Sequence, residues 1–373
     1  MQKFAFIIHP IDAKRDVSRK YPVARYLPES LIEWYLKGRD PIIASTITGI
    51  RSSTGEEAAG WFIVCPFTPR QFLTLPLDFV YDKLEKCGHI AEELGAGIVG
   101  LGAFTSVVGD GGITLARRLK IAVTTGNSYT ICTAVEGAKK GAELMGIRLP
   151  EACVAVIGAT GSIGATCAEL MARSAREVRL IGRNMEKLKA LEQRLSRSAQ
   201  SGGDSPTCTI SKISSYTDIP SGLLDADIII TVSSAAEAIV HPSHIKRGAV
   251  VCDVARPRDV SVAVAKERPD VLVIEGGVVK VPGEMRCNKP DTGAPFSFGF
   301  PPGAAYACMS ETIALALEGR YESFTLGKEV SIKKTDEIGE ICSRHGFKLD
   351  GFRSFEHAVT DEEIERIRNA AGR

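Results

Sequence analysis

The sequence predicts an α/β protein: a Rossmann-type doubly wound parallel sheet together with a second α/β domain that the C-terminal segment completes. Three observations predict it. From Ala152 onward, short apolar runs alternate with helical patterns at βαβ spacing. The first run opens into Gly158-Ala159-Thr160-Gly161-Ser162-Ile163-Gly164, a glycine-rich turn with a strand before it and a helix after it. Residues 1–150 carry their own, less regular mixture of strand and helix patterns. The chain therefore divides into an N-terminal substrate domain (1–150), a dinucleotide-binding domain (151–285) and a C-terminal segment (286–373) that packs back on the first domain.

In the first domain, Phe4–Ile8 and Gly60–Val64 read as strands, the second preceded by the turn-rich Ser52-Ser53-Thr54-Gly55. Asp78–Leu94 has helical periodicity, with Val80, Leu84, Cys87 and Ile90 or Ala91 on one face. A buried strand begins at Ala96 and runs into the loop ending at Ser106. Lys120–Thr124 is another strand, leading through Thr125-Gly126-Asn127-Ser128 into a helix that ends near Gly146. In the second domain the strands are Ala152–Ile157, Val178–Ile181, Cys208–Ile213, Asp227–Val232, Ala249–Asp253 and Val271–Ile274. Helices cover Ala165–Ser174 and Met185–Ser198, and the polar Arg197–Pro206 is an exposed loop. The C-terminal segment opens on a Gly/Pro-rich loop and continues as a helix carrying Cys308.

The glycine turn supplies a nucleotide site. The first glycine permits the turn, the second lets backbone approach a pyrophosphate, and the third lets helix pack on strand, so phosphate charge meets the helix N-terminus. Gly158, Thr160, Gly161, Ser162, Ile163 and Gly164 are the residues so placed. An NAD site puts Asp or Glu at the end of the second strand, where this chain has Gly182-Arg183-Asn184. Arg183 and Asn184 suit a 2′-phosphate, so NADPH is the expected cofactor. Ser233 after the fourth strand, and Gly276 and Gly277 after the last, are placed for the nicotinamide half; plain turn roles account for them equally well.

Composition excludes several classes. Lys and Arg number 46 against 45 Asp and Glu, leaving no basic excess to neutralise nucleic-acid phosphates. The apolar stretch at the N-terminus is too short for a signal peptide, and no apolar run reaches the ~18 residues of a spanning helix. A cytoplasmic protein with at most peripheral membrane contact is expected. The ten cysteines are scattered without a CxxC pair, so neither disulfides nor a metal site is expected, and Cys153 and Cys252 read as core residues. His241 and His244 read as part of a solvated turn; His345 reads as an acid or, better, a turn residue before Gly346, and Tyr129 and Tyr306 as proton donors or, better, core rings with satisfied hydroxyls.

Cys308, in Tyr306-Ala307-Cys308-Met309, stands near a helix start, where unpaired N–H groups and the helix dipole lower a thiol's pKa. Physics alone leaves two readings, a nucleophile or a small core residue among Ala307, Met309 and Ile313.

A resemblance bears on that choice. Leu101-Gly-Ala-Phe-Thr-Ser106, Thr124-Thr-Gly-Asn127, Val154-Ala-Val-Ile-Gly-Ala-Thr-Gly161, Gly276-Gly-Val-Val279, Tyr306-Ala-Cys-Met309, Leu317-Glu-Gly319 and Arg344-His-Gly-Phe347 follow in this order, with His9 and Arg15-Asp-Val-Ser-Arg19 before them. From Phe4 to Phe347 the chain resembles the long-chain acyl-(acyl carrier protein) reductases. The resemblance implies NADPH-dependent reduction of a fatty acyl thioester to an aldehyde through an acylated cysteine, which maps onto Cys308. It also implies a thioester of acyl carrier protein or coenzyme A as donor, and an acyl carrier protein and an aldehyde-consuming enzyme as partners. Thr125, Asn127 and backbone N–H groups near Gly277 are the candidates for holding the oxyanion. The Pro290–Gly303 loop departs from the family, being rich in Gly, Pro and Phe where its members carry more charge. Two rivals stand beside this reading: a shikimate/quinate dehydrogenase-like enzyme without covalent catalysis, and a non-catalytic NADP-binding regulator.

Overall fold

The computed structural model describes residues 1–18, 21–201, 212–233, 235, 237–255, 257–297, 301–355 and 357–373. They form two compact units: residues 1–129, 279–329 and 337–348, and residues 130–278, 330–336 and 349–373.

The first unit is built on a six-stranded sheet in the order Gly283–Asn288, Ile42–Arg51, Glu57–Val64, Gln2–Ile8, Ile98–Leu101, Ala122–Thr124. The first two strands are antiparallel additions. The remaining four run parallel, so the segments after Val64, Ile8, Leu101 and Thr124 all leave the sheet at one edge. Ile42–Arg51 escaped the sequence reading because four of its ten residues are Ser, Thr or Gly. The helix Leu77–Glu93 buries Val80, Leu84 and Cys87, as their spacing indicates, and of Ile90 and Ala91 it is Ala91 that completes the buried face. The helix Ala307–Leu317 packs on Gln2–Ile8 and Ile98–Leu101.

The second unit is a parallel sheet ordered Leu272–Glu275, Val250–Asp253, Ile228–Thr231, Cys153–Ile157, Glu177–Ile181, Lys212–Tyr216. Numbered along the chain this is 6-5-4-1-2-3, the dinucleotide-binding order, with its reversal between Cys153–Ile157 and Ile228–Thr231. Those two strands are wholly buried, as a sheet covered on both faces requires. The expected strand at Cys208–Ile213 lies mostly outside the described residues, and the strand there is Lys212–Tyr216. The expected loop from Arg197 is helical up to Ser201, the rest lying outside the described residues.

The boundary falls within the helix Asn127–Leu144 rather than after residue 150. The reason is packing: Ile131, Ala134, Ala138 and Ala142 belong to the core of the nucleotide sheet. The C-terminal segment is likewise divided. Residues 349–373 join the second unit, where Ile364 enters its core and Arg247 donates to the Ala370 carbonyl at 2.7 Å.

Candidate active site

The parallel edge of the first unit gathers the chemistry. Cys308 is the second residue of the helix Ala307–Leu317, whose N-cap, Tyr306, makes no side-chain cap. The first-turn N–H groups therefore favour negative charge beside a half-buried thiol. The turn after Ala122–Thr124 lies directly on it. Gly126 sits at φ +72°, and a Cβ there would come within 2.2 Å of the Cys308 Cα, so only glycine allows this approach. Asn127, nearly buried, opens the helix that follows.

Glu311, one turn beyond Cys308 and fully buried, locks this arrangement. It accepts hydrogen bonds from the Thr124 hydroxyl and from the Tyr129 N–H, the latter at 2.9 Å. Thr325 adds a second tie: its carbonyl accepts from the Thr125 N–H at 2.9 Å, and its hydroxyl meets that of Ser128 at 2.8 Å. Nothing in the sequence pattern marked Glu311, because a carboxylate in an apolar helix reads as a surface residue until its partners are known. The Thr125 hydroxyl is buried and has no hydrogen-bond partner among the described residues. A buried orphan hydroxyl costs about 1–3 kcal/mol, a cost retained where a ligand atom completes it.

Two more segments reach the same edge. The His9 ring accepts the Phe104 N–H on Nε2 (3.2 Å) and donates from Nδ1 to the Pro10 carbonyl (2.9 Å). Burial lowers its pKa to about 4, so it is neutral at neutral pH. Ala103 adopts φ +48°, a strained conformation for a residue with a Cβ. The Thr105 and Ser106 hydroxyls are occupied by the carbonyls of Gly102 and Ala103.

Burial sets other cysteines apart. It pushes the thiols of Cys132, Cys153 and Cys287 up to about 11 and Cys167 to about 12, and raises Cys87 well above the ordinary value. Cys153 and Cys252 are core residues, as expected. His345 corrects the expectation of a turn residue: it is 3% exposed, between the Ser52 hydroxyl and the Glu318 carboxylate, each at 2.7 Å.

In the second unit the glycine turn has the form a dinucleotide requires. Gly158 has φ +79°, and a Cβ would meet the Val232 carbonyl at 2.9 Å; at Gly164 it would meet the Gly158 carbonyl at 2.3 Å. The helix Ser162–Ala172 starts earlier than its hydrophobic pattern indicated, and its N-cap, Gly161, provides no side-chain cap. Its first N–H groups, with Ser162 and Ile163, are thereby presented to a ligand. The Thr160 hydroxyl lies 3.7 Å from where a Gly182 Cβ would stand, so the glycine turn and Gly182-Arg183-Asn184 converge. Arg183 is exposed and pairs with no carboxylate among the described residues. Asn184 caps the next helix by accepting the Lys187 N–H at 2.9 Å. Ser233 is at the sheet's reversal, but its N–H and hydroxyl both go to the buried Asp259, at 2.9 and 2.5 Å. At Gly276 a Cβ would meet Val254 at 2.6 Å, and Gly277 takes φ +86°, so packing and turn geometry account for both glycines.

Residues 140–275 match the family model for shikimate / quinate 5-dehydrogenase. The chain is 29% identical over 354 residues to a long-chain acyl-(acyl-carrier-protein) reductase of Synechococcus elongatus, covering 91% of this chain and 95% of that one. It is 26% identical over 373 residues to an aminotransferase PigE of a Serratia species, covering 98% of this chain and only 42% of that protein. Among solved structures, the nucleotide-binding domain of a Thermoplasma volcanium glutamyl-tRNA reductase matches 38% of this chain and 84% of its own (17% identity, TM-score 0.27). The yhdH oxidoreductase of Salmonella enterica in complex with NADP matches 40% of this chain and 42% of its own (18% identity, TM-score 0.28). Along most of its length the chain is thus similar to a long-chain acyl-(acyl-carrier-protein) reductase, and its second unit has the Rossmann-type sheet order.

Proposed function

We propose that the protein reduces a long-chain fatty acyl thioester to the fatty aldehyde, with NADPH as reductant and Cys308 as the acylated nucleophile. The observation that carries this reading is the position of Cys308: second in its helix, half-buried, and pressed against a turn whose Thr125 hydroxyl is buried without a partner.

The Cys308 sulfur attacks the acyl carbonyl; its new C–S bond replaces the bond to the carrier sulfur, which leaves as a thiolate and takes up a proton. When bound, NADPH supplies a hydride, which takes the acyl carbon from the thioester to the aldehyde level. Thr125 donates its hydroxyl to the oxyanion at the carbonyl oxygen, with Asn127 beside it. Cys308 then departs as a thiolate, which is why sulfur suits the role: it attacks well and leaves well. The cofactor would be held by the backbone of Gly158–Gly164 at its pyrophosphate. Arg183 and Asn184 would hold its 2′-phosphate, and Ser233, Gly276 and Gly277 would border its nicotinamide half. The donor thiol belongs to an acyl carrier protein or to coenzyme A, and an aldehyde-consuming enzyme is the partner proposed downstream.

The match of residues 140–275 to shikimate / quinate dehydrogenases favours a second reading, ketone reduction without a covalent intermediate. One experiment separates them. The chain is mixed with a long-chain acyl thioester and its intact mass measured with and without NADPH. An acyl adduct on wild type, absent from Cys308→Ala and discharged as aldehyde by NADPH, is expected. Without any adduct, or with a Cys308→Ala variant that still turns over, covalent catalysis is wrong.

A further inference from the structure

The chemistry at Cys308 leaves one strained turn of the first unit without a role. Ala103, between the strand Ile98–Leu101 and the short helix Phe104–Val107, takes φ +48° and ψ −124°. A residue with a Cβ avoids that region, and such backbone persists only where its surroundings over-determine it. The Gly102 carbonyl accepts from the Thr105 N–H at 3.1 Å and from its hydroxyl at 2.8 Å. The Ala103 carbonyl accepts from the Ser106 N–H at 3.1 Å and from its hydroxyl at 2.7 Å.

These local bonds set the shape of the turn, and His9 sets its place. Among the described residues one hydrogen bond reaches the turn from another strand's end, from the Phe104 N–H to His9 Nε2 at 3.2 Å. His9 follows the strand Gln2–Ile8, which lies beside Ile98–Leu101. Its ring meets those of Phe72 and Phe104 edge to face, at 5.1 and 6.0 Å, and Nδ1 donates to the Pro10 carbonyl at 2.9 Å. Burial lowers its pKa to about 4, so Nε2 keeps the lone pair that Phe104 needs. With both nitrogens engaged, the ring is not placed to exchange a proton with a substrate.

The turn so held lies beside the cysteine. Gly100 pairs with Thr124, so Gly102 and Gly126, each two residues further on, leave the sheet on neighbouring strands about 4.8 Å apart. Gly126 is the glycine pressed on Cys308. On the other strand, a Cβ at Gly100 would stand 2.1 Å from the Thr312 hydroxyl, which itself donates to the Cys308 carbonyl at 3.2 Å. The first turn of the cysteine helix is therefore flanked by the two segments that leave these strands.

We infer that His9 is a positioning residue for acyl transfer: by accepting the Phe104 N–H it fixes the Ala103 turn as the wall against which the acyl group meets Cys308. The inference rests on the reductase reading and deepens it, since it concerns the approach of the substrate and not the thiol itself.

The test compares two reactions at one sulfur in the full chain, each followed as the mass of the peptide that carries Cys308. Acylation by a long-chain acyl thioester needs the wall. Alkylation by iodoacetamide, which is small and has no chain to place, needs only the thiol. His9→Phe keeps a ring against Phe72 and Phe104 but offers no acceptor. Its acylation should saturate at an unchanged thioester concentration yet run about 100-fold slower, the cost of a displacement of about 1 Å, with alkylation as in wild type. His9→Gln, whose side-chain oxygen accepts in place of Nε2, should recover to within about tenfold of wild type. If His9→Phe fails to fold, Ala103→Gly frees the turn without adding an atom and should show the same split, with acylation about tenfold slower. Wild-type acylation in these variants, or equal losses of acylation and alkylation, would overturn the inference. A wild type that forms no adduct at all would overturn the reductase reading and this inference with it.

Discussion

Gly126→Ala tests whether the turn after Ala122–Thr124 sets the position of the thiol. The added Cβ would stand 2.2 Å from Cys308 Cα, 2.3 Å from its Cβ and 2.7 Å from its carbonyl oxygen, where ordinary contact begins at 3.4 Å. The turn and the cysteine helix must separate by about 1.2 Å, and a misplacement of that size at a reacting group costs on the order of 100-fold in rate. Glu311 resists the separation, since its bonds to Thr124 and Tyr129 span the same joint. The left-handed backbone at φ +72° adds about 1 kcal/mol of strain, and the overpacking about 1–3 kcal/mol more. Gly146→Ala is the control: φ is +69° there, with no atom within 4 Å of the added Cβ, so it pays only the backbone strain. Denaturant unfolding and the rate of acyl-adduct formation are measured for both variants. Gly126→Ala should be less stable than Gly146→Ala and about 100-fold slower in acylation, with NADPH binding unchanged. Equal stability of the two, with a wild-type acylation rate in Gly126→Ala, would refute the reasoning.

Three further predictions follow from single residues. Thr125→Val removes a buried hydroxyl that has no partner, so stability should hold or rise by about 1 kcal/mol while acylation slows by about 100-fold or more; a loss of stability with normal acylation would assign the hydroxyl a structural role. Arg183→Ala removes an exposed cation that pairs with no carboxylate among the described residues; titration should show about tenfold weaker binding of NADPH with NADH unaffected, and equal losses for both would remove the 2′-phosphate from its role. Burial holds the His9 pKa at about 4 against 6.5 when unfolded, so the unfolded chain takes up a proton that the folded chain refuses. Stability should therefore be full above pH 6.5 and fall by about 2–3 kcal/mol as pH drops toward 4. His9→Gln should flatten that part of the denaturation-versus-pH curve, and an unchanged slope would assign the loss to other groups.

By itself the sequence determined what local pattern can carry. The runs Cys153–Ile157, Ile228–Thr231 and Val250–Asp253 are apolar throughout because both faces of their sheet are covered, and such runs announce themselves without any partner. The turn at Gly158, Gly161 and Gly164 was legible for the same reason, since its backbone requirement is met within a few residues of chain. Tertiary structure alone decided the rest. Ile42–Arg51 is a strand because Glu57–Val64 and Gly283–Asn288 pair with it, not because of its own composition. Glu311 holds the cysteine helix through partners 182 and 187 residues away, and His345 is buried by Ser52 and Glu318. Ser233, legible as a cofactor-side residue, proved to be bound to Asp259, which comes 26 residues later. A buried polar group is chosen by whatever satisfies its hydrogen bonds, and in this chain those partners lie far along the sequence, where periodicity has no reach.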